Sequence, residues 1–378
     1  RDSSTSRGLG DVYKRQIFAL PHPALDANCF SVVWTGSVVM PRTMDGCIGL
    51  STQDSMRLYV DDKLLIDGWG KDKSADQALD FHFEAGRTYK IRIEFVNDRR
   101  GARVIFGYSA GRENFPAAVE AARKADAAIL CMGDNEETSG ENFDRTDLNL
   151  PGRQLELVQA VYETGTPVVL VLQSGRPVTA NWENDHLPAI LEAWFPGEQG
   201  GTAIAKTLFG DAAPGGRLPI TFPRSVGQIP CHYSRRPGGG KRYVEMDWLP
   251  LYPFGYGLSY TTFKYDNVKL SSANLKKEDV LTVTFDLENT GKYEGTEVAQ
   301  LYVQDKFASV TRPVKELKRF ARVTLKPGEK KNVSFELPIS ELAFWNIDMV
   351  KTVEAGDFAL WVAPDSQSGE EVFFKVVD

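Results

Sequence analysis

At 378 residues, with 42% apolar and 25% charged side chains, the chain is long enough for two or three globular domains. A net charge of −7 with both signs interspersed argues against a nucleic-acid surface, where basic residues cluster. No run approaches the roughly 20 apolar residues that a spanning helix needs, and the longest, "TPVVLVL", has the length of a strand.

The chain opens on "RDSSTSRGLGDVYKRQ", polar and rich in glycine and serine, without the apolar core of a signal peptide. Residues 1–16 are therefore read as an artefactual or disordered leader and set aside from the fold, and the protein is read as a fragment. Residues 17–110 alternate short β-branched and aromatic runs with turn residues, as in "FSVVWTGSVVMP", "MRLYVDDKLLIDGWG" and "FEAGRTYKIRIEF", which predicts a β-sandwich. Asp61 and Asp62 fall between two of these strands, where a tight hairpin turns. Calcium is the lesser reading of that pair, because no further oxygen ligands cluster around it.

From 111 to 235 the period changes. "NFPAAVEAARKADAAILCMG" reads as a helix feeding a strand; a helix from about 152 to 164 and "TPVVLVLQSG" repeat the arrangement, and "LPAILEAWFPGEQGGTAIAKTLFGD" gives another round. Helices alternating with short apolar strands predict an α/β sandwich on a mainly parallel sheet, covered on both faces. Residues 236–262 form a Pro/Gly/aromatic connector whose rings pin it against a neighbouring domain, and residues 263–378 return to antiparallel strands at sandwich spacing.

Open α/β sheets bind ligands beyond the carboxyl ends of their strands. "ETSGENFDR", residues 137–145, follows the strand "AAILCMG" and is the first candidate for chemistry. Gly140 offers a backbone turn that aims Glu141 away from the sheet, and Asp144 beside Arg145 offers a local ion pair to fix the loop. A carboxyl shielded from water there would hold its proton to higher pH and suit general-acid chemistry. Hydrolysis by the usual glycosidase route needs a second carboxylate. Asp134, Glu137 and Glu198 are present, but no motif gives any of them a nucleophile's setting.

Cys131 lies inside the apolar strand and reads as a small buried thiol, while Cys29 and Cys47 are a pair that an oxidising compartment would permit to join. His22, His82, His186 and His232 have no metal-ligand spacing, and neither a metal nor a cofactor is expected. Ser174 in "QSGRP" fits no nucleophile elbow and reads as a polar residue at a strand end.

Taken together and in this order, "GDNEETSGENFDRTDLNLPGRQLELVQAV", "VVLVLQSGRPV", "AWFPGEQGGTAIAKTLFGDAAPGGRLPITFP", "PLYPFGYGLSYTTF" and "ASVTRPVKELKRFARVTLKPGE" resemble the C-terminal half of glycoside hydrolase family 3, of β-glucosidase type. The resemblance implies an α/β sandwich that carries an acid/base glutamate, followed by a fibronectin type III-like domain. The first segment resembles part of the protective-antigen-type carbohydrate-binding sandwich that some members insert. A preceding barrel domain, outside this chain, would supply the aspartate nucleophile, so the chain alone would be inactive. The family pattern of Glu, Gly, any residue, Asp and Arg places the acid/base at Glu141, with Asn142 where the glycine usually stands and Glu137 as runner-up. The implied substrate is a terminal β-D-glucosyl residue of a glucoside or oligosaccharide, which the "DR…LPG" form of the loop favours. Xylose, arabinose or N-acetylglucosamine is the alternative sugar. A carbohydrate-binding protein without catalysis is the alternative class. A secreted or periplasmic location would suit such an enzyme.

Overall fold

The computed structural model describes residues 29–52, 54–70, 77–97, 104–110, 115–136, 138–238 and 243–378. The leader, His22 and Glu137 therefore lie outside the described residues. The chain divides into two compact units, residues 1–116 and 117–378.

The first unit is a β-sandwich. Strands β1 (Phe30–Val39), β2 (Met44–Thr52), β3 (Ser55–Val60), β4 (Lys63–Asp67), β5 (Gln77–Phe83), β6 (Thr88–Asn97) and β7 (Val104–Ala110) form two sheets, ordered β1-β6-β3-β4 and β5-β2-β7. Alternation drives the packing: Met56, Leu58 and Val60 of β3 and Ile91 and Ile93 of β6 point inward to one core with Ile48 and Leu50 of β2. Asp61 and Asp62 make the β3–β4 turn with φ of 49° and 63°. Both values are left-handed, as a type I′ hairpin requires. Asp61 is held there by the Lys90 N–H at 2.9 Å and by Arg87 at 3.0 Å. Cys29 and Cys47 are both free thiols, so that pairing does not form.

The second unit begins with helix α1 (Pro116–Arg123) and strand β8 (Ala128–Gly133), followed by α2 (Gln154–Tyr162), β9 (Val168–Gln173), α3 (Asn181–His186), β10 (Ala189–Glu192) and α4 (Gly200–Leu208). The three strands are parallel, in the order β10-β9-β8. Val158 and Val161 of α2 and Ala122 of α1 pack with Val168, Leu170 and Leu172 of β9. The central strand β9 is covered on both faces, as its unbroken apolar run predicts, but β8 is not. Ile129 is 46% exposed and Cys131 is exposed, because they alternate with Leu130 and Met132, which pack on the core, and so lie on the opposite, open face of β8. The buried-thiol expectation for Cys131 is thereby corrected.

The remaining strands are β11 (Phe263–Leu270), β12 (Asn274–Leu275), β13 (Val280–Asn289), β14 (Gly295–Asp305), β15 (Glu316–Leu325), β16 (Lys330–Pro338), β17 (Phe344–Trp345), β18 (Lys351–Thr352), β19 (Gly356–Ala363) and β20 (Val372–Val376). Two sheets, β11-β13-β16 and β12-β20-β19-β14-β15, enclose a core that includes Leu281, Val283, Phe285, Leu301, Phe335 and Leu360. Strand β14 is buried on both faces, because the aromatic connector lies on its outer side. Tyr233 stacks on Phe254 at 4.3 Å and meets the ring of Tyr302 edge-on at 5.9 Å. Gly255, with φ of 83°, sits so close to the Gln300 side chain that any Cβ would collide with it.

Candidate active site

Two strand ends define the site within the second unit. Gly133, at the end of β8, has φ of 138° and lies too close to the Gln173 carbonyl to admit a side chain. Gln154 of α2 brackets it, accepting its N–H at 2.7 Å and donating to its carbonyl at 2.8 Å. The chain then leaves the sheet at Asp134, and Ser174-Gly175-Arg176 leaves it beside Asp134 at the end of β9.

Asp134 is the hub of the site. Its side chain is only 3% exposed, and both carboxylate oxygens are engaged. Oδ1 accepts from Thr138 Oγ1 at 3.1 Å and from Arg145 Nη1 at 3.3 Å. Oδ2 accepts from Ser174 Oγ at 2.7 Å and lies 3.5 Å from Arg176 Nε. Arg145 also donates to the Asn149 carbonyl at 3.0 Å and to Asp147 at 3.4 Å. The expected Asp144–Arg145 pair does not form: the guanidinium turns to the buried carboxylate, where the lower local dielectric strengthens the attraction, and leaves Asp144 exposed. Ser174, read as a strand-end polar residue, is buried at that end and spends its hydroxyl on Asp134.

Between these anchors lies the turn that carries Glu141. The Phe143 N–H donates to the Gly140 carbonyl at 3.2 Å, closing a β-turn with Glu141 and Asn142 at its centre. Asn142 has φ of 65°. A left-handed residue in the third position is what a type II turn demands, and asparagine is the commonest substitute for glycine there. The conformational burden therefore falls on Asn142 and not on Gly140, whose lack of a side chain instead lets the Phe143 ring approach it. Glu141 stands on the corner of the turn, exposed, with no hydrogen bond or ion pair to a described residue.

The other expected carboxylates are not brought to it. Glu198 is exposed on the loop between β10 and α4, and Asp134 is committed to its four partners. Among the described residues, no group of three or more His, Cys, Asp or Glu side chains is arranged to hold a metal. His186 stacks on Trp182 at 4.3 Å, His82 contacts Asp45 at 2.6 Å, and His232 is exposed.

Glu192 is a carboxyl that the sequence did not single out. It ends β10 in register with Leu172 of β9, whose side chain is in the core. One oxygen accepts the Trp194 N–H at 3.1 Å; the other is buried without a hydrogen-bond partner among the described residues, and burial pushes the group up to about 7 from 4.5. The folded chain thus keeps a proton that the unfolded chain has lost. Stability is full below pH 4.5 and falls as pH rises toward 7, by about 3 kcal/mol in all. Glu192→Gln is expected to remove most of that decline, read as unfolding free energy at pH 5 and pH 8; an unchanged slope would assign the decline to other groups.

The glycosyl hydrolase family 3 C-terminal domain matches residues 26–260, and a fibronectin type III-like domain matches residues 297–366. A β-xylosidase of Formosa agariphila is 47% identical over 98% of this chain and 54% of its own length. A periplasmic β-glucosidase of Salmonella typhimurium is 45% identical over 69% of this chain and 35% of its own length. The chain thus spans about half, or less, of these curated relatives. Among solved structures, a β-glucosidase of Kluyveromyces marxianus in complex with glucose superposes with a TM-score of 0.68, at 30% identity over 96% of this chain and 48% of that one. One from Erythrobacter marinus gives 0.67, at 42% identity over 69% of this chain and 36% of that one. With one domain model covering more than half of the sequence and a relative 47% identical over 98% of it, the chain belongs to glycosyl hydrolase family 3.

Proposed function

We propose that the chain supplies the acid/base half of a retaining β-glycosidase site, with Glu141 as the proton donor and terminal β-D-glucosyl residues as the substrate. The observation that carries this reading is the turn itself. The Glu-x-x-Asp-Arg stretch stands on an exposed corner beyond the strand ends, with Asn142 in the left-handed conformation that a glycine takes most readily.

In this reading a barrel domain ahead of the chain brings an aspartate to roughly 5–5.5 Å from Glu141. The aspartate oxygen bonds to the anomeric carbon as the glycosidic bond breaks, and Glu141 gives its proton to the departing oxygen. Glu141, now a carboxylate, takes a proton from the water that displaces the aspartate, and the sugar leaves with its β configuration retained. Xylose is the second reading of the sugar, favoured by the name of the Formosa relative. The first sandwich adds a carbohydrate-binding surface to the same protein.

The test uses a full-length protein that carries this chain. Glu141→Ala is expected to turn over an activated aryl β-glucoside slowly, and added azide to accelerate it with formation of β-glucosyl azide, because azide attacks the glycosyl intermediate without needing a base. Glu137→Ala is expected to behave as the parent does. Azide rescue in Glu137→Ala, and none in Glu141→Ala, would transfer the role to Glu137.

A further inference from the structure

We propose that Asp134 is a positioning residue whose buried carboxylate clamps both feet of the Glu141 turn to the end of β9. The inference rests on Glu141 being the acid/base. It is carried by the way one side chain serves both ends of a loop. Thr138, three residues before Glu141, and Arg145, four residues after it, bond to the same oxygen of Asp134. The other oxygen is held by Ser174 and faced by Arg176, both just beyond β9. Arg176 then reaches back to the Thr138 carbonyl at 3.5 Å and to Ser139 Oγ at 3.4 Å. Only residues 139–144 stand between the feet, and Glu141 makes no bond of its own to a described residue. The clamp therefore sets where its carboxyl stands.

Charge makes the clamp specific to an aspartate. Arg145 and Arg176 are mostly buried, at 18% and 24% exposure, and Asp134 is the carboxylate they share. Of the two guanidinium groups Asp147 meets only that of Arg145, and it is half exposed. An amide at position 134 keeps the shape but leaves two guanidinium groups facing each other at the base of the turn, so the turn shifts while the sheet stays. Displacing a proton donor by about 1 Å costs on the order of 100-fold in rate, without changing the chemistry it performs.

The experiment measures kcat/KM of a full-length protein carrying this chain on β-glucosides of graded leaving-group acidity, for Asp134→Asn and Arg176→Gln. Asp134→Asn is expected to lose about 100-fold on alkyl glucosides and about threefold or less on a dinitrophenyl glucoside, which needs little protonation. Arg176→Gln, which leaves Asp134 paired with Arg145, is expected to give the same pattern at about tenfold and decides the question if Asp134→Asn does not fold. Loss that is equal across all leaving groups, or no loss, overturns the positioning role. Glu141→Gln measured alongside separates the two readings. Full activity in it sinks the acid/base assignment and the clamp together; a leaving-group-dependent loss in it, with none in Asp134→Asn or Arg176→Gln, sinks the clamp alone.

Discussion

Glutamine at position 141, in a full-length protein that carries this chain, is expected to lower kcat/KM on alkyl β-glucosides by about 10²- to 10⁴-fold. The same change is expected to leave a dinitrophenyl β-glucoside within about tenfold of the parent. The split arises from the role of the proton. An alkoxide is a poor leaving group and departs only as it is protonated; a dinitrophenolate departs without help. Glutamine keeps the size of the side chain and its place on the type II turn, so binding is preserved while the donor is lost. In the proposed mechanism hydrolysis of the intermediate also uses Glu141, as base, so kcat on the activated substrate is expected to fall even where kcat/KM does not. A uniform loss in kcat/KM would indicate damage to binding or fold in place of a missing proton, and the assignment would fail.

Arg217→Met is expected to destabilise the second unit by about 3–5 kcal/mol. Arg217 donates to Glu297 of β14 at 2.8 Å, and the two side chains are 8% and 3% exposed. Methionine fills much of the same space but leaves a buried carboxylate without its cation, still accepting the Val298 N–H at 3.1 Å and lying beside the Tyr265 hydroxyl. The cost is that of a buried charge without its partner, not of the pair itself. The double change Arg217→Met/Glu297→Leu is accordingly expected to recover most of the loss, because two apolar side chains of similar volume replace a pair whose desolvation offsets its attraction. Denaturant unfolding of the single and double variants measures both numbers. A single-variant loss under about 1 kcal/mol, or a double variant no better than the single, would show that Glu297 is not stranded.

Local pattern was enough to read much of this architecture. The apolar run of β9, the helical period of α2 and the Asp61-Asp62 turn each specify their own conformation within a few residues, and each is where the sequence puts it. The site was legible only as far as the loop. Glu141 could be placed on it, but the choice of partner for Arg145 could not. Asp144 is adjacent in sequence, whereas the partner chosen lies 11 residues earlier and is defined by burial. Arg176 and Ser174 come from the next strand end, about 40 residues beyond Asp134, and no local rule links them to it. Glu192 had a weaker signal: a carboxyl closing an apolar strand, which alternation alone would have marked as inward-facing. Cys131 misled for the opposite reason. An apolar strand predicts burial on both faces only if both faces are covered, and coverage is a property of the assembled sheet.

The connector that covers β14 also bears on how the protein can be divided. A sandwich freed at residue 262 would present Gln300 and Tyr302 to water along the outer side of its longest strand and leave Glu297 without its cation, having lost Gly255, Tyr233 and Arg217. The fibronectin-like region is therefore no autonomous module. It and the α/β region belong to one compact unit and are expected to melt in one cooperative transition, so that an excision boundary drawn at the start of β11 cuts through a folding unit instead of between two.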